Sequence, residues 1–120
     1  MPSPEVLEAF AALVESGDYV GALERYYAPD ASTQENNEAP RIGRDTLIRR
    51  ERGVMSAFKS IAAKRLAPIA VNGDSVAIQW RFEFAAHEGT GFVLEEVAWQ
   101  TWRGNLIASE KFHFDPNQRA

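Results

Sequence analysis

The sequence predicts an α+β fold, three amphipathic helices followed by a mostly antiparallel sheet, on two observations. Apolar residues recur at the helical period in three segments of the first half, around Leu7, Leu23 and Leu47. The second half alternates at period two, over 76–84 and again through FVLEEVAWQTWRGNLIASEKFHF at 92–114. The 120 residues suffice for one domain, 1–120, with a sizeable core and are too few for two.

The first helix opens at Ser3-Pro4-Glu5, with Ser as N-cap, Pro in the first helical position and an acid in the first turn. Val6, Leu7, Phe10, Leu13 and Val14 share its inner arc, and Gly17 ends it. Asp18 caps a second helix with Tyr19, Ala22, Leu23 and Tyr26 inward, closed by Pro29. The polar stretch 30–43 holds a short strand around 32–36. A third helix runs from near Arg44 to about Phe58, with an apolar arc of Leu47, Ile48, Val54, Met55, Phe58 and Ile61. Its basic residues (Arg49, Arg50, Arg52, Lys59) fall outside that arc and read as a solvated face. Glu51 lies inside the arc. A strand at 65–71 carries Pro68, which marks an edge or a bulge. After the turn at 72–75, Val76, Ile78, Trp80, Phe82 and Phe84 line one strand face. The tail at 118–120 reads as frayed.

The last two strands form a hairpin turning at Arg103-Gly104 or Gly104-Asn105. Either turn makes opposed residue numbers sum to an odd value, and paired residues share a face. One face then carries Val93, Glu95, Val97, Trp99 and Thr101 with Leu106, Ala108, Glu110, Phe112 and Phe114. The other carries Glu96, Ala98, Gln100, Trp102, Ile107, Ser109, Lys111 and His113. The first is the more apolar and is assigned to the core, which turns Glu95 and Glu110 inward. Pairing Ala86 with Gly91 sets Phe82 against Glu95 and agrees with this register.

Composition narrows the function classes. The net charge of −4 argues against a nucleic-acid surface. No window approaches a membrane span, and the N-terminus lacks a signal-peptide pattern, so a cytoplasmic location is the default. Cysteine is absent, which removes thiolate nucleophiles and Cys-type zinc sites. His87 and His113 do not make a metal site, and no cofactor motif is present.

The segments YYAPDA (26–31), TQEN (33–36), RIGRDTLIRRE (41–51), WRFEF (80–84), LEEVAWQTW (94–102) and SEKFHFDP (109–116) resemble, in this order, the SnoaL-like branch of the NTF2-like superfamily. The resemblance implies a cone-shaped α+β barrel with a cavity at its wide end, in a homodimer. Its relatives include polyketide cyclases, ketosteroid isomerases, epoxide hydrolases and dehydratases. Those cyclases and isomerases use an Asp, whereas every Asp here falls at a cap, turn or strand end, so an interior carboxylate is a Glu.

Glu110 is the first candidate base, with Glu95 beside it and Glu51 third. An apolar cavity raises a carboxyl pKa and suits it to move protons near neutrality. Tyr26, Tyr27, Trp80, Phe82, Trp99 and Phe112 are the candidate walls, a Tyr hydroxyl serving as donor to an enolate-like oxygen. Gln34, Glu35 and Asn36 are placed at the mouth. The expected ligand is a small hydrophobic carbonyl compound, and the chemistry that of a cofactor-free isomerase, cyclase-like lyase, dehydratase or hydrolase. Two alternatives stand beside this. The acids pair with arginines, Arg41 and Arg44 lying near Glu51 in sequence. Or the protein is a non-catalytic dimerisation module, joined through an outer sheet face bearing Trp102, Gln100 and Ile107.

Overall fold

A computed structural model describes residues 1–119. Helix α1 (Pro4–Glu15) starts where the sequence places it, the Ser3 Oγ accepting from the Val6 N–H at 3.1 Å. Helix α2 (Tyr19–Tyr26) is capped by Asp18, whose Oδ1 accepts from the Gly21 N–H at 2.8 Å. Strand β1 (Tyr27–Glu35) follows without a loop, and β2 (Arg41–Ile42) folds back on it. Helix α3 (Arg44–Ala57) leads into β3 (Ser60–Arg65), β4 (Ala70–Asn72), β5 (Ser75–Ala85), β6 (Phe92–Arg103), β7 (Leu106–His113) and a 3₁₀ turn (Pro116–Arg119). Pro68 lies in the break between β3 and β4, where no ladder hydrogen bond is needed. Among the described residues no helix is long and apolar enough to cross a membrane.

The strand order is β2-β1-β7-β6-β5-β3, with β4 paired to β5 alone, so the sheet is open. All neighbours are antiparallel except β1 and β7, which run parallel. The sequence stretch expected to hold only a short strand is thus a nine-residue strand inside the sheet. Its register shifts between Tyr27 and Ser32, around Pro29, which cannot donate to a ladder. The helices pack on one another and on the inner face. Phe10 of α1 meets the rings of Tyr26, Tyr27 and Trp102 at centroid separations of 5.6, 6.2 and 5.8 Å. Each such aromatic pair adds about 0.5–1.5 kcal/mol beyond area burial.

The final hairpin turns at Gly104-Asn105, with positive φ only at Gly104, as a type II′ turn requires. Next to the turn the odd parity holds, with Arg103 opposite Leu106 and Trp102 opposite Ile107. Thr101 then pairs with Ser109, so Ala108 is an extra residue, a β-bulge that changes the parity beyond it. Gln100 faces Glu110 and Ala98 faces Phe112. The β5–β6 register is also one residue from the expected one, Phe84 meeting Phe92 and Phe82 meeting Leu94. The inner face of β6 is therefore Leu94, Glu96, Ala98, Gln100 and Trp102, all buried. Three inferences are corrected as a result. Glu95 and Trp99 point outward, Trp99 being 53% exposed, and Arg81 lies 3.6 Å from Glu95. Trp102, Gln100 and Ile107 lie in the interior instead of on an outer interface.

Gln118 is anchored to β6. The Gln118 side chain accepts from the Glu95 N–H at 2.9 Å and donates to the Glu95 carbonyl at 3.0 Å, standing in for the partner strand where β7 has ended. Of the tail read as frayed, only Ala120 lies outside the described residues.

Candidate active site

Between the helices and the inner sheet face lies a cavity of about 270 Å³. Tyr27 and Thr33 of β1, Glu51 of α3, Glu96 of β6 and Glu110 of β7 all contribute to its wall. The parallel pairing explains part of this, since Thr33 is the partner of Glu110 and Glu35 of Phe112. The aromatic wall comes from period-two alternation on β5. Trp80, Phe82 and Phe84 follow one another at centroid separations of 6.0 and 6.3 Å, and Phe58 and Phe92 pack on Phe84.

Glu110 is 4% exposed, and both its carboxyl oxygens are engaged. The Tyr27 hydroxyl donates to Oε1 in a short hydrogen bond, and Gln100 Nε2 donates to Oε2 at 2.6 Å. Gln100, itself fully buried, accepts at Oε1 from the Trp102 indole N–H at 2.9 Å. Burial pushes the Glu110 pKa up to about 7, against the pull of these two donors and with a small further rise from the charge on Glu51. Burial, then the charge on Glu110, holds the Tyr27 phenol well above its usual value, so it stays protonated. Glu51 is also raised by burial, while the neighbouring Arg50 works the other way. Tyr19, whose hydroxyl donates to the Ile61 carbonyl at 2.9 Å, is pushed up to about 12 by burial and then by Glu51.

The remaining candidates divide. Trp80, Phe82, Phe112, Tyr27 and Glu35 line the cavity. Glu35 carries Arg50 at 2.6 Å, with Arg41 at 3.9 Å. Arg44 donates to the Tyr27 carbonyl, so neither arginine proposed for Glu51 reaches it by a salt bridge. Tyr26 packs against Phe10 away from the cavity. Gln34 donates to the Glu38 carbonyl, and Asn36, at φ 47°, clamps the Phe114 backbone through both side-chain atoms. Neither lines the cavity. Sequence reasoning missed Glu96 and Gln100, because both faces of β6 carry apolar residues, and the bulge at Ala108 that brings Glu110 onto their face has no compositional signal.

The SnoaL-like domain model matches residues 7–110, and the chain belongs to that family. Solved structures agree. A protein assigned as a SnoaL-like polyketide cyclase from Mesorhizobium loti is 25% identical, with a TM-score of 0.76 over 92% of this chain and 97% of that one. A protein of ketosteroid isomerase-like fold from Catenulispora acidiphila, in complex with trimethylamine, gives 0.80 at 19% identity over 98% and 90%. An NTF2-like protein of unknown function from Burkholderia pseudomallei gives 0.78 at 14% identity over 92% and 88%. The last two show the fold alone. No curated protein matches the chain.

Proposed function

We propose that the cavity binds a small hydrophobic carbonyl compound and that Glu110 serves it as acid and base, in a cofactor-free isomerisation, cyclisation or dehydration. The observation that carries this is a carboxyl buried beside a phenol at the wall of an aromatic cavity, where burial pushes its pKa up to about 7. Such a group takes a proton from the carbon next to a carbonyl at neutral pH and returns it elsewhere, and Tyr27 supplies a donor to the developing enolate oxygen. The test is hydrogen–deuterium exchange at the α-carbon of hydrophobic cyclic ketones, followed by NMR. Wild type is expected to accelerate exchange, and Glu110→Gln to slow it by about 10²–10⁴-fold. Equal rates for the two proteins would remove Glu110 from the chemistry.

A second reading, a non-catalytic homodimerisation module, is favoured by one feature of the outer sheet face. Trp99 is half exposed there, a large aromatic of the kind that interfaces cover. Sedimentation of wild type and Trp99→Glu tests it, with a dimer expected for the first and a monomer for the second. Monomers in both would end this reading.

A further inference from the structure

The Trp102–Gln100–Glu110–Tyr27 chain contains one donor that cannot reverse and one that can. An amide can present either its carbonyl or its NH₂ to a neighbour. At Gln100 the choice is fixed, because an indole N–H only donates, and it occupies Gln100 Oε1 at 2.9 Å. The NH₂ must then point at Glu110 Oε2, whether or not Glu110 is ionised. A proton on Oε2 would meet that donor head-on. Tyr27 is different, since a hydroxyl both donates and accepts and rotates to suit its partner. With Glu110 ionised, Tyr27 donates to Oε1. With Glu110 neutral, a proton on Oε1 donates to the Tyr27 oxygen, and the phenolic hydrogen must go elsewhere. Tyr27 lines the cavity, and that is where it can turn.

We infer that Trp102 and Gln100 are positioning residues that confine the Glu110 proton to Oε1, so that Tyr27 donates into the cavity only when Glu110 is protonated. This rests on the reading of the cavity as a carbonyl site and assigns the parts within it. A proton arriving on Oε1 from the substrate releases the Tyr27 hydrogen to the oxygen that has just become negative. The donor is therefore spent on Glu110 in the ground state and delivered in the transition state, which is the differential binding that raises turnover. The other titratable or charged groups lining the cavity with this dyad are Tyr19 of α2, Glu51 and Arg50 of α3, Glu35 of β1 and Glu96 of β6, and of these the charges on Glu51 and Glu96 act on Tyr27.

Two measurements test it. The Glu110 carboxyl is titrated by ¹³C NMR in wild type, Gln100→Met and Trp102→Phe. Loss of the fixed donor in Gln100→Met is expected to raise the midpoint by about one unit. Trp102→Phe, which keeps an aromatic ring but frees the amide to turn its carbonyl toward a protonated Oε2, is expected to raise it by a smaller, measurable amount. An unmoved midpoint in Trp102→Phe overturns the lock, since a tryptophan that only packs has no hold on this titration. In the second measurement, 2-adamantanone is titrated into wild type between pH 6 and 8. Its affinity is expected to fall about three- to fivefold, the value of one neutral hydrogen bond diluted by the roughly one-tenth of the other protonation state that persists at each end of this range. In Glu110→Gln, whose amide holds the arrangement of the neutral acid, affinity is expected to stay flat with pH. A flat profile in wild type overturns the role given to Tyr27. Ketone that binds with this pH dependence but is not turned over sinks only the proposed catalysis. Ketone that fails to bind at any pH removes Tyr27's part together with the carbonyl reading, and the NMR arm then decides the lock by itself.

Discussion

Replacing Glu110 by Gln separates the electrostatics of the site from its packing, because the two side chains have nearly the same shape. In the folded protein burial holds the Glu110 carboxyl at about 7, against 4.5 for an ordinary glutamate. A raised acid works against stability as it ionises. Below 4.5 both states hold the proton and nothing is lost. Between 4.5 and 7 the unfolded chain releases its proton while the native state keeps it, so stability falls as pH rises. Above 7 both are ionised and the loss is complete, at about 3 kcal/mol for a shift of this size. Between pH 5 and pH 8 wild type should therefore lose about 2–3 kcal/mol more than Glu110→Gln in urea unfolding. The amide can accept from Gln100 and donate to Tyr27, so near pH 5 the two melting temperatures should agree within a few degrees. Glu51 is raised in the same direction, but it is present in both proteins, so all but its small repulsion with Glu110 cancels in the comparison. Parallel pH profiles for the two proteins would mean that Glu110 titrates as an ordinary carboxylate, and the proposed acid–base role would lose its footing.

Two further outcomes follow from packing. Phe10→Ala removes the ring that α1 sets against Tyr27 and Trp102, and should cost about 3–5 kcal/mol in chemical denaturation; a loss below 1 kcal/mol would show that the helix is not fastened there. Gly91→Ala would bring a Cβ to 1.8 Å from the Phe84 carbonyl oxygen, so the start of β6 must shift. A destabilisation of about 1–3 kcal/mol is expected, with amide shift changes centred on Phe84 and Phe92; an unchanged spectrum would refute that close approach.

How much of this was legible in the sequence depends on which signal each element carries. Helix starts were readable because Ser3-Pro4 and Asp18 act through local hydrogen bonds. The inner face of β5 was readable because only one of its faces is apolar. The parallel partnership of β1 with β7 was not, since pairing across some eighty positions leaves no local trace in a polar segment.

Strand β6 failed for a sharper reason. Val93, Val97 and Trp99 on one side are as apolar as Leu94, Ala98 and Trp102 on the other, so apolarity, by which the face was assigned, was no guide to it. Register then lent that assignment its support, and register was carried across two hairpins. The β5–β6 pairing was off by one residue and the β6–β7 pairing missed one bulged residue, so the two agreed with each other while both turned β6 over. Agreement between neighbouring registers is thus no check on either when their errors have the same parity. Glu110 nevertheless came out on the correct side, because the bulge at Ala108 returns β7 beyond it to the inner face, whereas Glu95 and Trp99 of β6 alternate with the buried Trp102 and point outward. One inserted residue is what sets the Gln100 amide against the Glu110 carboxyl. Without it the odd register of the turn would continue, Glu110 would stand opposite Trp99, and Gln100 and Glu110 would lie on opposite faces of the sheet.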